Sequence, residues 1–499
     1  MSLFIVFLWL PLLFLLIQLL FYKSSIRYLP FLNTLLCLIL LALLLLLYQY
    51  LSQEVLQASL IAPMPVDISF KLDQLNWLIC LFCILVWLAS SLYSIYFMKA
   101  DSLNKVKRYQ IFSTLNLYAI LLIFLSSNMI TFFIFFELLL IVSYVLIIHY
   151  QTQESFAAGI RYLFFQIIGG LMLLFAVILT YTVLETTEFV PGGYEQLTSN
   201  PFFSLIFWFF VIGFSIKAGL FPVHIWLPEA HPAAPAPASA LLSGMVIKTG
   251  TFGIMRVFLE LFGIQNIIGR TDIFILIFLS IFTMFWGSAI AIGQGHIKRI
   301  LAYSSVSQMG YIVLGTAFLS PFALLGSLLH TLGHSLVKSL LFLSAGSIVN
   351  DTGKADISSI DGYGYKNPFV FTVFTIGALS IIGFPLFINF ISKWTLGVGF
   401  MEAYQLNYFP FWLFIIALSV LLLSSILNAT YYVPILIRGW FYPSRDHSIP
   451  IKLKTPQIFS LAMLAVLIVS LGIFAQPLIE ISMQALSAVI PFAYYTSPF

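Results

Sequence analysis

TFFIFFELLLIVSYVL, residues 131–146, is an apolar run interrupted by a single carboxylate, Glu137. About 20 such residues cross the hydrocarbon of a bilayer as a helix. An ionised group at that depth costs roughly 2.5–3.5 kcal/mol on insertion scales, so its retention points to a task. Working outward, Lys217, Lys248, His334, Lys338 and Lys393 interrupt other long apolar runs in the same way. A series of buried ionisable groups most often marks an ion path or proton relay. For any one of them alone, a polar contact joining two helices is the simpler alternative.

The rest of the chain agrees with a membrane setting. Of 499 residues, 61% are hydrophobic and 8% charged, which excludes an ordinary soluble domain. The expected fold is an all-α polytopic membrane protein. About fourteen spans can be marked, at roughly 3–21, 29–51, 72–97, 109–127, 130–149, 161–184, 202–227, 239–262, 272–294, 301–319, 321–349, 368–398, 411–438 and 457–480. The first has no basic flank or small-residue cleavage site before Lys23 and reads as a retained span.

With the N-terminus outside, most of the 22 Lys and Arg fall in inner loops, including Lys23, Arg27, Lys99, Lys105, Lys107, Arg108, Lys298, Arg299, Arg445 and Lys452. Outer loops receive only Lys71 and Arg270. Such a bias is the orientation signal of an inner, cytoplasmic membrane protein, here with both termini outside. The net charge of +4 follows from it, and no basic stripe suggests nucleic acid. Cys80 and Cys83 form a C-x-x-C inside an apolar run with no second pair, so neither metal nor redox chemistry is expected there.

Two segments share the form basic-x-Leu-x-Phe-x-x-x-Gly, Arg161 to Gly169 and Lys338 to Gly346. Each is followed by a Gly- and Pro-containing interruption of an apolar run, KAGLFP (217–222) and IGFPLFINFISK (382–393). A doubled five-helix unit accounts for both pairs, and an odd number of helices makes the two copies inverted. The expected organisation is 1–108 (helices one to three), 109–262 (first repeat), 263–440 (second repeat) and 441–499 (helix fourteen and tail). Pro222 and Pro385 should break their helices, because proline removes a backbone donor and clashes with the preceding turn. Such breaks persist at membrane depth where protein or a hydrated cavity satisfies the freed carbonyls.

These residues resemble the antiporter-like membrane subunits shared by respiratory complex I, Mrp-type Na⁺/H⁺ antiporters and energy-converting hydrogenases. The most specific stretches are KAGLFPVHIWLPEAHPAAPAPASALLSGMVIKTGTFGIMR (217–256), KRILAYSSVSQMGYI (298–312) and HSLVKSLLFLSAGSI (334–348). The resemblance implies fourteen helices with helices four to eight and nine to thirteen as inverted repeats. It implies that Glu137 pairs with Lys217, that Lys248 is a central relay, that His334 and Lys338 link to the second half, and that Lys393 is a terminal proton site. His330, one turn before His334, would share its face. Lysine at 393, where one complex I type carries glutamate, argues against that type, and the HPAAPAPASALLSG motif with ALSIIGFPLFINFISKW (378–394) looks closest to hydrogenase-type members, with Mrp antiporters next. The chain also stops too soon to carry the long lateral helix of the largest members.

Burial favours a neutral amine and a nearby carboxylate favours the ammonium, so movement of Glu137 could switch Lys217 and send a proton toward Lys248. Ser243, Thr249, Ser304, Ser305, Ser307, Gln308 and Ser335 are expected lining groups. The preferred function is H⁺ or Na⁺ translocation within a redox-driven, complex I-related pump such as an energy-converting hydrogenase. Other hydrophobic subunits would be partners, and peripheral subunits would carry the iron–sulfur clusters and any nickel–iron site. No cofactor, metal site or redox chemistry is expected in this chain itself. The alternatives are a subunit of an Mrp-type Na⁺/H⁺ antiporter and an inert membrane anchor.

Overall fold

The computed structural model describes residues 2–21, 29–51, 55–60, 67–444 and 453–490. Lys23, Arg27, Arg445 and Lys452, which enter the orientation argument, lie outside the described residues, as do Met1 and the tail from 491 onward. The chain is almost wholly helical, as expected. Among the described residues ten helices are long and apolar enough to cross a membrane. The other expected crossings fall on helices that are interrupted or polar: Phe203–Ala218, the segment 236–262, Ile297–Ala317 and Pro368–Ile382 with Ile388–Gln405.

Two helices of equal length show how composition sorts surface from core. Gln153–Leu184 and Pro321–Thr352 each run 32 residues. The first exposes Ile160, Phe164, Ile167, Leu171, Phe175 and Ile178, a stripe at helical spacing that suits acyl chains. The second is almost wholly buried. Its Gly326, Ser327, Gly333, Ser335, Ser339 and Gly346 let neighbouring helices approach closely, and it packs heavily against Ile388–Gln405 and Ile297–Ala317. This helix carries His330, His334 and Lys338.

Helix starts follow local chemistry. Asp73 accepts from the Asn76 amide at 2.8 Å, Asn128 from Thr131 at 2.7 Å, and Thr152 and Ser155 form a reciprocal capping box. One element was not expected. Leu56–Leu60 and Ile68–Leu72 form a two-stranded antiparallel hairpin, tied to the start of Met129–Ile147 through Ser69 and Asn128, whose side chains meet at 2.7 Å.

Both interruptions are present. Phe203–Ala218 ends on Gly219 with φ +75°, and helix resumes only at Leu227–Ala233. Pro368–Ile382 ends on Gly383 with φ +93°, and Ile388–Gln405 follows. Left-handed glycine is what stops each helix; Pro222 and Pro385 lie within the breaks and prevent the helix from restarting early.

The sequence match between Arg161 and Lys338 does not survive as a spatial one. Arg161 lies near the start of its helix, half-exposed and ion-paired with Glu229. Lys338 lies mid-helix and fully buried. Nine residues with common spacing do not constrain depth when the helix starts differ.

Candidate functional site

Lys217 occupies the last turn before the first break, where the carbonyl end of a helix carries partial negative charge and favours a cation. It is fully buried, and its Nζ has no hydrogen-bond partner. The ammonium position lies 4.7 Å from the Phe136 ring centroid and 5.8 Å from that of Tyr162. Glu137 follows Phe136 on the neighbouring helix, half-buried, with Oε1 unpartnered. The expected direct pair between Glu137 and Lys217 is therefore not formed in this conformation. The aromatic face of Phe136 takes the place of the carboxylate, leaving the two groups near but apart.

The Glu137 carboxylate packs against Gly170 on helix Gln153–Leu184, where any Cβ would collide with it. Beside it, Gly169 and Gly213 bring two helices into backbone contact, a Cβ on Gly169 lying 3.2 Å from the Gly213 carbonyl oxygen. Gly170→Val is accordingly expected to displace the carboxylate while leaving every charge in place. Ion transport per assembled complex should fall at least several-fold; wild-type transport would show that the position of Glu137 does not matter.

Lys248 begins a helix after a widened π-turn, Leu242–Val246, a feature frequent at functional sites. Its Nζ donates to the Ser243 carbonyl and lies 2.7 Å from His334 Nδ1. A neutral imidazole nitrogen can accept from an ammonium, and a free amine can accept from an imidazolium, so the pair can share one proton either way. Ser243 Oγ meets Ser305 Oγ at 2.8 Å.

His334 and His330 stand one turn apart with ring centroids separated by 6.0 Å. His330 then reaches Ser392 Oγ at 2.8 Å and Gln308 Oε1 at 3.0 Å. Ser392 precedes Lys393, whose Nζ donates to the Ile381 and Ile382 carbonyls (2.8 and 3.1 Å) and to Ser425 Oγ (3.1 Å). Those two carbonyls belong to the helix end left open by the second break. Lysine thus stands at the carbonyl end of both half-helices, Lys217 from within its half-helix and Lys393 reaching back from the segment after it.

Lys338 is a branch. Its Nζ donates to Leu301 O at 2.9 Å, Ser304 Oγ at 2.6 Å and Tyr432 Oη at 3.4 Å, which accounts for all three of its donors. Lys217 has none accounted for. Of the expected lining groups, Ser243, Ser304 and Gln308 bond Lys248, Lys338 and His330 respectively, and Ser305 bonds Ser243, whereas Ser307 bonds Ser288 at 2.9 Å. Thr249 and Ser335 return their hydroxyls to the backbone of their own helices.

Sequence reasoning missed Tyr432, Ser392, Ser425 and Gly170. Ser392 was legible as the neighbour of Lys393; the others carry no local signal. It also missed a second buried cluster. Glu260 is fully buried against Arg256 and Lys71, and Asp73 lies 3.5 Å from Lys71. This cluster joins the hairpin to the end of segment 236–262.

A polytopic helical protein with two interrupted spans, a lysine at each break and a chain of buried bases between them belongs to the class of antiporter-like membrane subunits. The chain is a member of the NADH:quinone oxidoreductase/Mrp antiporter transmembrane family, whose profile matches residues 126–424. Relatives include the proposed antiporter subunit mnhA2 of Staphylococcus aureus strain JH9, 30% identical over 449 residues. That alignment covers 86% of this chain and 55% of the relative, so the chain spans about half the length of the curated relatives it matches.

Among solved structures, a chain of the Mrp complex from Dietzia sp. DQ12-45-1b superposes with TM-score 0.85 at 23% identity, covering 98% of both chains. A chain of the archaeal membrane-bound sulfane sulfur reductase gives 0.81 at 23% identity, covering 94% of this chain and 75% of that one. A chain of respiratory complex I from Thermus thermophilus gives 0.80 at 22% identity, covering 97% and 98%. These likenesses establish the fold.

Proposed function

We propose that this chain is an H⁺- or Na⁺-translocating subunit of a multisubunit Mrp-type antiporter in the cytoplasmic membrane, with both termini outside. The observation that carries this is the run from Lys248 through His334 and His330 to Ser392, which ends beside the lysine at the second helix break. Glu137 and Lys217 form the entrance group, Lys248 the centre, His334, His330 and Lys338 the link, and Lys393 the terminal site. No hydrogen bond joins Lys217 to Lys248; in this reading water bridges that interval. The paired 32-residue helices, each followed by a broken span, support inverted repeats over 109–262 and 263–440.

The alignment with mnhA2 favours this reading over the hydrogenase-type one. The redox-driven alternative, with iron–sulfur and nickel–iron centres in peripheral partner subunits, draws on the shared fold with complex I and the sulfane sulfur reductase. Purifying the native assembly in mild detergent and identifying its subunits and metals separates the two. Only hydrophobic partners and no metal are expected; copurifying iron–sulfur or nickel proteins would replace the Mrp reading with the redox one. In vesicles, an imposed Na⁺ gradient should drive opposing H⁺ flux. An intact assembly that moves neither ion under that gradient would overturn the Mrp reading, and one that also moves none when supplied with electrons would overturn the redox reading.

A further inference from the structure

A cavity of about 730 Å³ lies between the first helix, Ser2–Leu20, and Leu103–Leu125, away from the buried path. One side is hydrocarbon, from Leu15, Leu19 and Ile111; the other is polar and cationic, from Asn104, Lys105 and Arg108. Lys105 Nζ donates to Tyr150 O at 3.2 Å and an Arg108 Nη to His149 O at 2.6 Å, while Arg108 Nε is buried without a partner. An ammonium has three donors and a guanidinium five, so most remain available to a ligand. The helix beginning at Leu103 has no side-chain cap from Ser102, which adds open backbone donors and a positive dipole end at the same rim. The nearby carboxylate of Asp101 is engaged by His149 at 3.2 Å.

We propose that this cavity is a binding site for an anionic phospholipid. Its phosphate would sit on Lys105, Arg108 and the open helix start, and its acyl chains would lie along Leu15 and Leu19. The apolar wall continues onto a surface already suited to lipid, since Leu13, Leu16 and Leu20 on the same helix are 53%, 51% and 80% exposed. A free phosphate would leave that wall unused. Basic pockets between helices on the cytoplasmic side of a membrane are established sites for acidic headgroups, and the loop 98–108 is the most lysine- and arginine-rich of the expected inner loops. The proposal is independent of the transport reading.

The test uses the purified assembly, stripped of lipid and titrated with phosphatidylglycerol, phosphatidylcholine or glycerol phosphate while thermal unfolding and lipid retention by native mass spectrometry are followed. Phosphatidylglycerol should bind and raise the unfolding temperature; the other two should not. Asn104→Asp, which adds a negative charge to the polar wall, and Leu19→Trp, which fills the apolar side, should each weaken that binding at least five-fold. Equal response to phosphatidylcholine, full response to glycerol phosphate alone, or unchanged binding in both variants would overturn the proposal. So would a neighbouring subunit's helix occupying the cavity in the assembled complex.

Discussion

Lys217→Ala in the assembled complex is expected to reduce ion transport on the order of 10²-fold, the lower end of what a positioned proton-transfer group contributes. Lys217 is the path lysine whose three donors are all unengaged, whereas Lys338 and Lys393 are each held by three oxygens. In the proposed mechanism this buried amine, which faces aromatic rings and has no hydrogen bond to Glu137, changes its proton affinity when Glu137 moves. Loss of the amine removes the switch itself.

Glu137→Gln should produce a comparable loss, because it preserves the shape that fits against Gly170 and removes only the charge. Counterflow should be measured in vesicles at equal amounts of assembled complex. Undiminished transport in both variants would remove these residues from the mechanism and leave the second half of the chain to act alone. Loss in the Lys217 variant with full activity in Glu137→Gln would keep the lysine and discard the switch.

The second large effect concerns stability. Glu260→Leu strips the counter-charge from Arg256, which is 1% exposed, and leaves Lys71, which is 9% exposed, with Asp73 at 3.5 Å. Breaking one member of a buried ion cluster costs roughly 3–5 kcal/mol, because the remaining charges stay desolvated. The expected readout is a lowered unfolding temperature of the solubilised complex with transport per folded complex retained, since the cluster lies apart from the path. Replacing Arg256 and Glu260 together with apolar residues, which keeps the Lys71–Asp73 pair, should recover most of the loss.

The deficit should also depend on pH in a defined sense. Burial, followed by the Arg256 guanidinium, brings the Lys71 ammonium down to about 8. The folded state therefore releases this proton before the unfolded chain does, and stability rises with pH above about 8. Removing Glu260 weakens the hold of the folded state on this proton further, so the deficit of the variant should be complete at low pH, shrink as pH rises toward about 8, and stay level above it, where the wild type loses the same proton. A deficit that stayed constant across the window would place the cost in lost packing instead of unpaired charge.

The membrane class, the two broken helices and the buried residues that bear charge were legible along the chain because each is a local property. A run of about 20 apolar residues spans a bilayer whatever it packs against. A charge within such a run is costly wherever it sits. Glycine and proline stop a helix by their own backbone chemistry. Those arguments located Glu137, Lys217, Lys248, His334, Lys338 and Lys393 without any knowledge of contacts.

Which of these groups touch was decided by tertiary packing. Lys248 and His334 are 86 residues apart and meet at 2.7 Å, and Lys338 finds Tyr432 across 94 residues. Such meetings depend on helix rotation and depth, which shift with a single residue of register. The same freedom undid the match of Arg161 with Lys338 and placed Phe136, instead of Glu137, over the Lys217 ammonium. Glu260 was hidden for a related reason: a carboxylate near a helix end reads as solvated until a hairpin from 189 residues away delivers Lys71 to it. Hydrophobicity is summed along the chain, whereas a proton path is a set of distances between helices, and only the packed structure sets those.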